Sequence, residues 1–277
     1  MMWAAIVLGV IGVAAAGLLY VVARRFSVDD DPRIDQVEGL LPGANCGGCG
    51  FSGCRAFAQA CCNATSLEGL SCPGSDRSTM GRIASALGLQ NESCPDVRKV
   101  ATVGCGAKCG GRQDVALYDG PASCVAVAAI GSGESLCSYG CVGMGDCVGV
   151  CPFDAISVNS ETKIPEVDHS RCTGCGRCAE RCPRSVISIR KVRVQAVFTY
   201  VACSNASPGQ LAVKACRSAC IACGKCERVC ASSAITFGRC GDGVSRVAPA
   251  RIDAMKCTGC GMCGPACPTG AIRMAEG

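Results

Sequence analysis

Twenty-nine of the 277 residues are cysteine, and most of them stand at fixed, short spacings. Cys172, Cys175, Cys178 and Cys182 read C-x2-C-x2-C-x3-C-P, completed by Pro183, and Cys257, Cys260, Cys263 and Cys267 with Pro268 repeat that run. Cys220, Cys223, Cys226 and Cys230 keep the spacing, with Ala231 in place of the proline. Two intervening residues let a tight loop aim successive thiolates at one cube of iron and sulfide. Gly174, Gly176, Gly259 and Gly261 allow the positive φ that such close wrapping needs. The fourth cysteine then leaves the loop and ligates the other cube of a pair, as in bacterial ferredoxin runs.

The rest of the composition narrows the alternatives. Aromatic residues make up 4% of the chain and His169 is its one histidine. His-ligated haem and arrays of two-cysteine, two-histidine zinc fingers are excluded, and so short a supply of bulky side chains calls for cross-links or metal. Disulfides need an oxidising compartment. Trp3 to Ala23 carries no charge and is long enough to span a bilayer as a helix, with Arg24 and Arg25 directly after it. The positive-inside rule puts everything beyond in the cytoplasm, where disulfides are rare. The N-x-[ST] matches at Asn63, Asn91 and Asn205 then carry no glycosylation meaning. Zinc ribbons use two cysteine pairs separated by a longer loop, whereas four cysteines within eleven residues suit paired cubes.

A fourth, less regular run is Cys137, Cys141, Cys147 and Cys151 with Pro152. A register shift of 79 aligns Cys124, Cys137, Cys141, Cys147 and Cys151 with Cys203, Cys216, Cys220, Cys226 and Cys230. Beyond an insertion near Cys240, a shift of 85 aligns Cys172–Cys182 with Cys257–Cys267, so the second half duplicates the first. Met144 stands where Cys223 stands, and Cys137 is read as the replacement ligand. The crossover rule gives four cubes. Cys137, Cys141 and Cys147 pair with Cys182; Cys172, Cys175 and Cys178 with Cys151. Cys220, Cys223 and Cys226 pair with Cys267; Cys257, Cys260 and Cys263 with Cys230. Short β-branched runs at 155–158, 186–189 and 234–237 are the expected strands of βαββαβ-like modules.

Upstream, Cys46, Cys49, Cys54 and Cys72 form C-x2-C-x4-C-x17-C-P, three of them in the loop GANCGGCGFSGC and the fourth beyond a helix expected from Arg55. The G-x-G-x-x-G from Gly48 to Gly53 follows no strand and holds Cys49, so it is read as a cluster loop, not a nucleotide fingerprint. Nine cysteines remain: Cys61, Cys62, Cys94, Cys105, Cys109, Cys124, Cys203, Cys216 and Cys240. Cys61 and Cys62 suit small buried positions. Cys105, Cys124, Cys203 and Cys216, with Cys109 as a substitute, are candidates for a sixth cluster. His169 is read as a loop residue beside Arg171, and Asp29–Asp31 and Gly131–Ser135 as solvated linkers.

The predicted fold class is α+β. A transmembrane anchor (1–26) precedes an N-terminal [4Fe–4S] module (27–95), a connecting segment (96–136) and two tandem bacterial-ferredoxin-like modules (137–192 and 193–277). The formal charge of +5 does not point to nucleic acid, because each [4Fe–4S]2+ cube with four thiolates adds about −2.

The uncharged N-terminal span, DPRIDQVEGLLPGANCGGCGFSGC and the tandem runs together resemble the B subunit of the Rnf complex, the ion-translocating ferredoxin:NAD+ oxidoreductase of bacterial membranes. CSYGCVGMGDCVGVCPFDAI is similar to the longer, cluster-rich form of that protein. The resemblance implies a [4Fe–4S] cluster on Cys46, Cys49, Cys54 and Cys72 close to the membrane. It also implies ferredoxin runs that accept electrons from soluble ferredoxin and pass them to the other subunits, with no catalytic residues beyond electron transfer. Two other classes remain: a polyferredoxin subunit of another membrane assembly, such as a hydrogenase or dehydrogenase, and a tethered zinc or interaction scaffold.

Overall fold

A computed structural model describes residues 2–25, 31–89, 97–108, 111–239 and 246–276. Cys94, Cys109, Cys240, Asn91, Asp29 and Asp30 lie outside the described residues. Helix α1 runs over Met2–Arg25, 24 residues, with Trp3, Val13 and Leu18 exposed. Its side chains are described only in part, and among the described residues no helix is long and apolar enough to cross a membrane.

Three helices follow: α2 (Pro32–Leu40), α3 (Cys54–Asn63) and α4 (Arg77–Leu87). Each starts where the sequence supplies acceptors for its free amides. Asp31 takes the Arg33 amide at 2.9 Å ahead of Pro32, and Asp76 takes that of Thr79 at 2.8 Å. Asp31 is thus a helix cap and not merely a solvated linker. At α3 the Asn45 side-chain oxygen accepts the Cys54 amide at 2.8 Å. The apolar stripes of the three helices close on Val37, Phe57 and Ile83, all essentially fully buried.

The remainder is two βαββαβ units. The first comprises β1 (Val97–Val103), α5 (Cys124–Ile130), α6 (Asp146–Gly149), the hairpin β2 (Ile156–Val158) and β3 (Pro165–Val167), α7 (Arg177–Arg181) and β4 (Ile187–Arg193). β1 and β4 pair antiparallel, Val97 opposite Arg193 through to Val103 opposite Ile187. The second unit repeats this with β5 (Val197–Val201), α8 (Gly209–Ala215), α9 (Lys225–Arg228), β6 (Ile235–Arg239), β7 (Arg246–Ile252), α10 (Cys263–Ala266) and β8 (Ile272–Glu276). Here β5 pairs with β8 and β6 with β7. The three expected strands appear as β2, β4 and β6.

Residues 96–136, read from the sequence as a connection, therefore supply both the first strand of a unit and a helix. Ser135, read as part of a linker, is 3% exposed, and its hydroxyl accepts the Cys137 amide at 3.1 Å. Val100, Val192 and Phe198 form a shared core between the units. Arg190 and Arg273 lock the seam by donating to the carbonyls of Ile252 and Gly106, each at 3.0 Å.

Candidate iron–sulfur centres

Three cavities lie inside the two units, and each is ringed by four cysteines. In the second unit these are Cys220, Cys223, Cys226 with Cys267, and Cys257, Cys260, Cys263 with Cys230. Both sets are those that the crossover rule pairs. In the first unit Cys178 faces Cys172, Cys175 and Cys151. Upstream, Cys72 faces Cys46 and Cys49 and packs in one core with Cys54.

The Cys141 centre differs from expectation. The cavity holding Cys141, Cys147 and Cys182 is completed by Cys124, and Cys137 is not among its lining residues. Asp146 explains the substitution. It stands where Lys225 stands in the repeat and is nearly buried, with 8% of its side chain exposed. Its carboxylate accepts from the Cys124 amide at 2.9 Å and the Ser123 hydroxyl at 3.2 Å, and it meets Arg181 at 3.4 Å. The first turn of α5 is thereby drawn over the position that Met144 leaves without a thiol. Cys137 instead faces Cys105, Cys203 and Cys216, and the Asn205 side-chain amide donates to its sulfur at 3.6 Å.

The donor sets fit [4Fe–4S] groups by their chemistry as well as their number. A backbone N–H two residues along the chain points at the sulfur of Cys72, Cys141, Cys175, Cys230 and Cys267. At Cys257 the same bond, from Gly259, measures 3.4 Å. Such amides stabilise a thiolate and tune a bound cluster. Cys61 and Cys62 receive no such amide, which agrees with a packing role. Burial, reinforced by neighbouring thiols, pushes Cys141 and Cys178 up to about 12 and Cys147 and Cys226 up to about 11. Without a cationic core between them these groups stay protonated thiols. Among the described residues, no three His, Cys, Asp or Glu side chains converge at the spacing of a single metal ion. At three of the centres the sulfurs stand around cavities, as a polynuclear group requires.

His169 is half-buried and stacks edge-on against Phe198 at 5.4 Å, while its Nε2–H donates to the Ala101 carbonyl at 3.0 Å. It holds the seam.

The family model described as a 4Fe-4S dicluster domain matches residues 137–186 and 219–271, and an Fe-S cluster model matches residues 41–65. The B subunit of the Na(+)-translocating ferredoxin:NAD(+) oxidoreductase complex of Acetobacterium woodii is 38% identical over 267 residues, covering 96% of this chain and 75% of that protein. The B subunit of the ion-translocating oxidoreductase complex of Methanosarcina acetivorans is 36% identical over 272 residues, 97% of this chain and 96% of that one. The chain belongs to this family of B subunits. A proton-translocating counterpart from Clostridium ljungdahlii is 35% identical over 164 residues, 59% of this chain and 56% of its own.

Sequence reasoning missed two features of this B-type chain. The role of Asp146 was detectable only as a charge reversal against Lys225 in the repeat. Arg112, with 12% of its side chain exposed, donates to the Cys141 carbonyl at 2.9 Å and gave no sequence signal.

Proposed function

We propose that the chain is the iron–sulfur electron-transfer subunit of an ion-translocating ferredoxin:NAD+ oxidoreductase, holding a relay of at least five [4Fe–4S] clusters. Twenty cysteines are the ligands in this reading: Cys46, Cys49, Cys54 and Cys72; Cys151, Cys172, Cys175 and Cys178; Cys124, Cys141, Cys147 and Cys182; Cys220, Cys223, Cys226 and Cys267; Cys230, Cys257, Cys260 and Cys263. Bound there, the clusters supply low-potential, one-electron chemistry. The chain's own part is to hold them in sequence, exclude water and set each potential through amides and burial. Ion movement and NAD+ reduction belong to partner subunits of the complex, and soluble ferredoxin is the electron donor.

The carrying observation is that three cavities are each ringed by four cysteines, while the two other four-cysteine sets stand in adjoining loops. Gly48, in the first cluster loop, packs so closely on the next that an added Cβ would lie 2.9 Å from Cys175 Cα. The uncharged run Trp3–Ala23, with Arg24 and Arg25 after it, supports a single-pass anchor in the cytoplasmic membrane with the cluster modules on the cytoplasmic side.

Iron and acid-labile sulfide, measured on the full chain after anaerobic purification, test the reading. About 20 or more iron atoms per chain, at about four per cube, reducible by ferredoxin, are the expected result. An iron-free chain would overturn it.

A further inference from the structure

The two units meet at Cys105 and Cys203, which form an isolated antiparallel bridge. Cys105 follows β1 by two residues and Cys203 follows β5 by two, and those strands are equivalent, each pairing with the last strand of its own unit. An antiparallel bridge between a residue and its own repeat equivalent is what a two-fold axis through that point produces. The surroundings obey the same symmetry. The Cys105 sulfur receives the amides of Ala107 and Cys141, and the Cys203 sulfur those of Asn205 and Cys220. Cys141 and Cys220 are equivalent under the 79-residue shift. Four residues before these two stand Cys137 and Cys216, again equivalent, and both turn toward Cys105.

Four thiols, two from each unit, thus converge on a pseudo-dyad. Three of them, Cys105, Cys203 and Cys216, carry the n+2 amide seen at the other centres, from Ala107, Asn205 and Ser218. The fourth, Cys137, receives the buried Asn205 side-chain amide. Arg112 supplies a cation beside them, bridging to Cys216 and acting on both Cys105 and Cys216. Its carboxylate partner Asp114 is 58% exposed, so the nearly buried guanidinium has negative charge to balance at the seam.

We propose that Cys105, Cys137, Cys203 and Cys216 hold a sixth [4Fe–4S] cluster on the pseudo-two-fold axis between the two units. In the same assignment Cys124 takes the place beside Cys141, Cys147 and Cys182 that the spacing alone would give to Cys137. The site lies between the Cys141 centre and the Cys220 centre, so it links the two halves of the relay. This rests on the electron-transfer reading above, and the test separates the two.

Iron, sulfide and zinc are counted in the anaerobically purified full chain and in the variants C137A, C124A, C216A, C137A/C216A and C124A/C216A. At about four iron atoms per cube, the wild type carries about 24 and each single variant loses about four. Two ligands of one cluster are not additive. C137A/C216A therefore loses no more than either single variant, whereas C124A/C216A loses about eight. The iron retained in every variant reports that the rest of the chain has folded, and EPR of the reduced samples shows one component missing in C216A and two in C124A/C216A. A wild-type count of about 20 with no loss in C216A, zinc at the seam, or an additive loss in C137A/C216A overturns the sixth site while leaving the relay standing. A chain without iron overturns both.

Discussion

Ser232 and Thr269 stand two residues beyond Cys230 and Cys267, their hydroxyl oxygens 3.5 and 3.6 Å from those sulfurs. Against the cost of burial, these hydroxyls and the neighbouring backbone amides hold both thiols below their ordinary value. The first unit has Phe153 and Arg184 at the same positions after Cys151 and Cys182. Donors to a thiolate favour the more negative, reduced state of a cluster, so each of these two hydroxyls should raise the potential of the cluster its cysteine ligates. S232A and T269A should each lower the midpoint of one cluster by tens of millivolts, because only the difference between oxidation states counts. An EPR-monitored redox titration checks this. His169 gives a pH dependence. Burial, with help from Arg98, outweighs the Ala101 carbonyl and Asp168 and lowers its folded value below the ordinary 6.5. Above that pH the imidazole is neutral whether folded or not and the seam is at full strength. As pH falls below it, the opened state takes the proton first and stability declines. Amide exchange in β1, corrected for intrinsic rates, should accelerate between pH 7.5 and 6, and H169Q should remove most of that difference. At this scale the three regular runs were legible because two-residue spacing is a local signal. The partner of Cys141 was not, because Asp146 acts through folded contacts.

Between elements, the closest approach is the N-terminal loop on the first ferredoxin-like unit. A Cβ at Gly48 would meet Cys175 Cα at 2.9 Å and Pro73 Cγ at 3.0 Å. Gly48 has no positive φ, so its lack of a side chain serves the approach and not the turn, unlike Gly47 and Gly50 beside it. G48V should leave the iron count unchanged while weakening the magnetic interaction between the Cys46 and Cys172 centres, read as narrower EPR lines in the reduced chain. The sequence foretold α3 within a residue of its start, and it foretold three strands from their β-branched runs. The pairing of β1 with β4 was hidden, because it joins segments about ninety residues apart and β1 carries no cysteine to mark it. That same blindness misplaced Cys124. A gapless shift of 79 matched it to Cys203, whereas the fold makes Cys105 the equivalent of Cys203, with the stretch from Cys105 to Cys137 nineteen residues longer than that from Cys203 to Cys216.

The chain as a whole carries a formal +5, and the six cubes proposed above, at about −2 each, would bring the loaded protein to about −7. On that reading the basic residues are counter-charges to clusters, with Arg112 at the seam as the local instance. Native isoelectric focusing under anaerobic conditions should find the loaded chain acidic and the iron-stripped chain basic; equal positions would refute this charge balance. The bridge between Cys105 and Cys203 has one last consequence, for assembly. Internal duplication ordinarily yields two of whatever one copy had. Here it also made, along the crease where the copies face each other, something neither possesses alone. Cutting the chain between Arg193 and Val197 would leave each half able to fill its own chambers and unable to close the shared one, so metal in that crease becomes a clasp whose occupancy records that the halves have met in the right register.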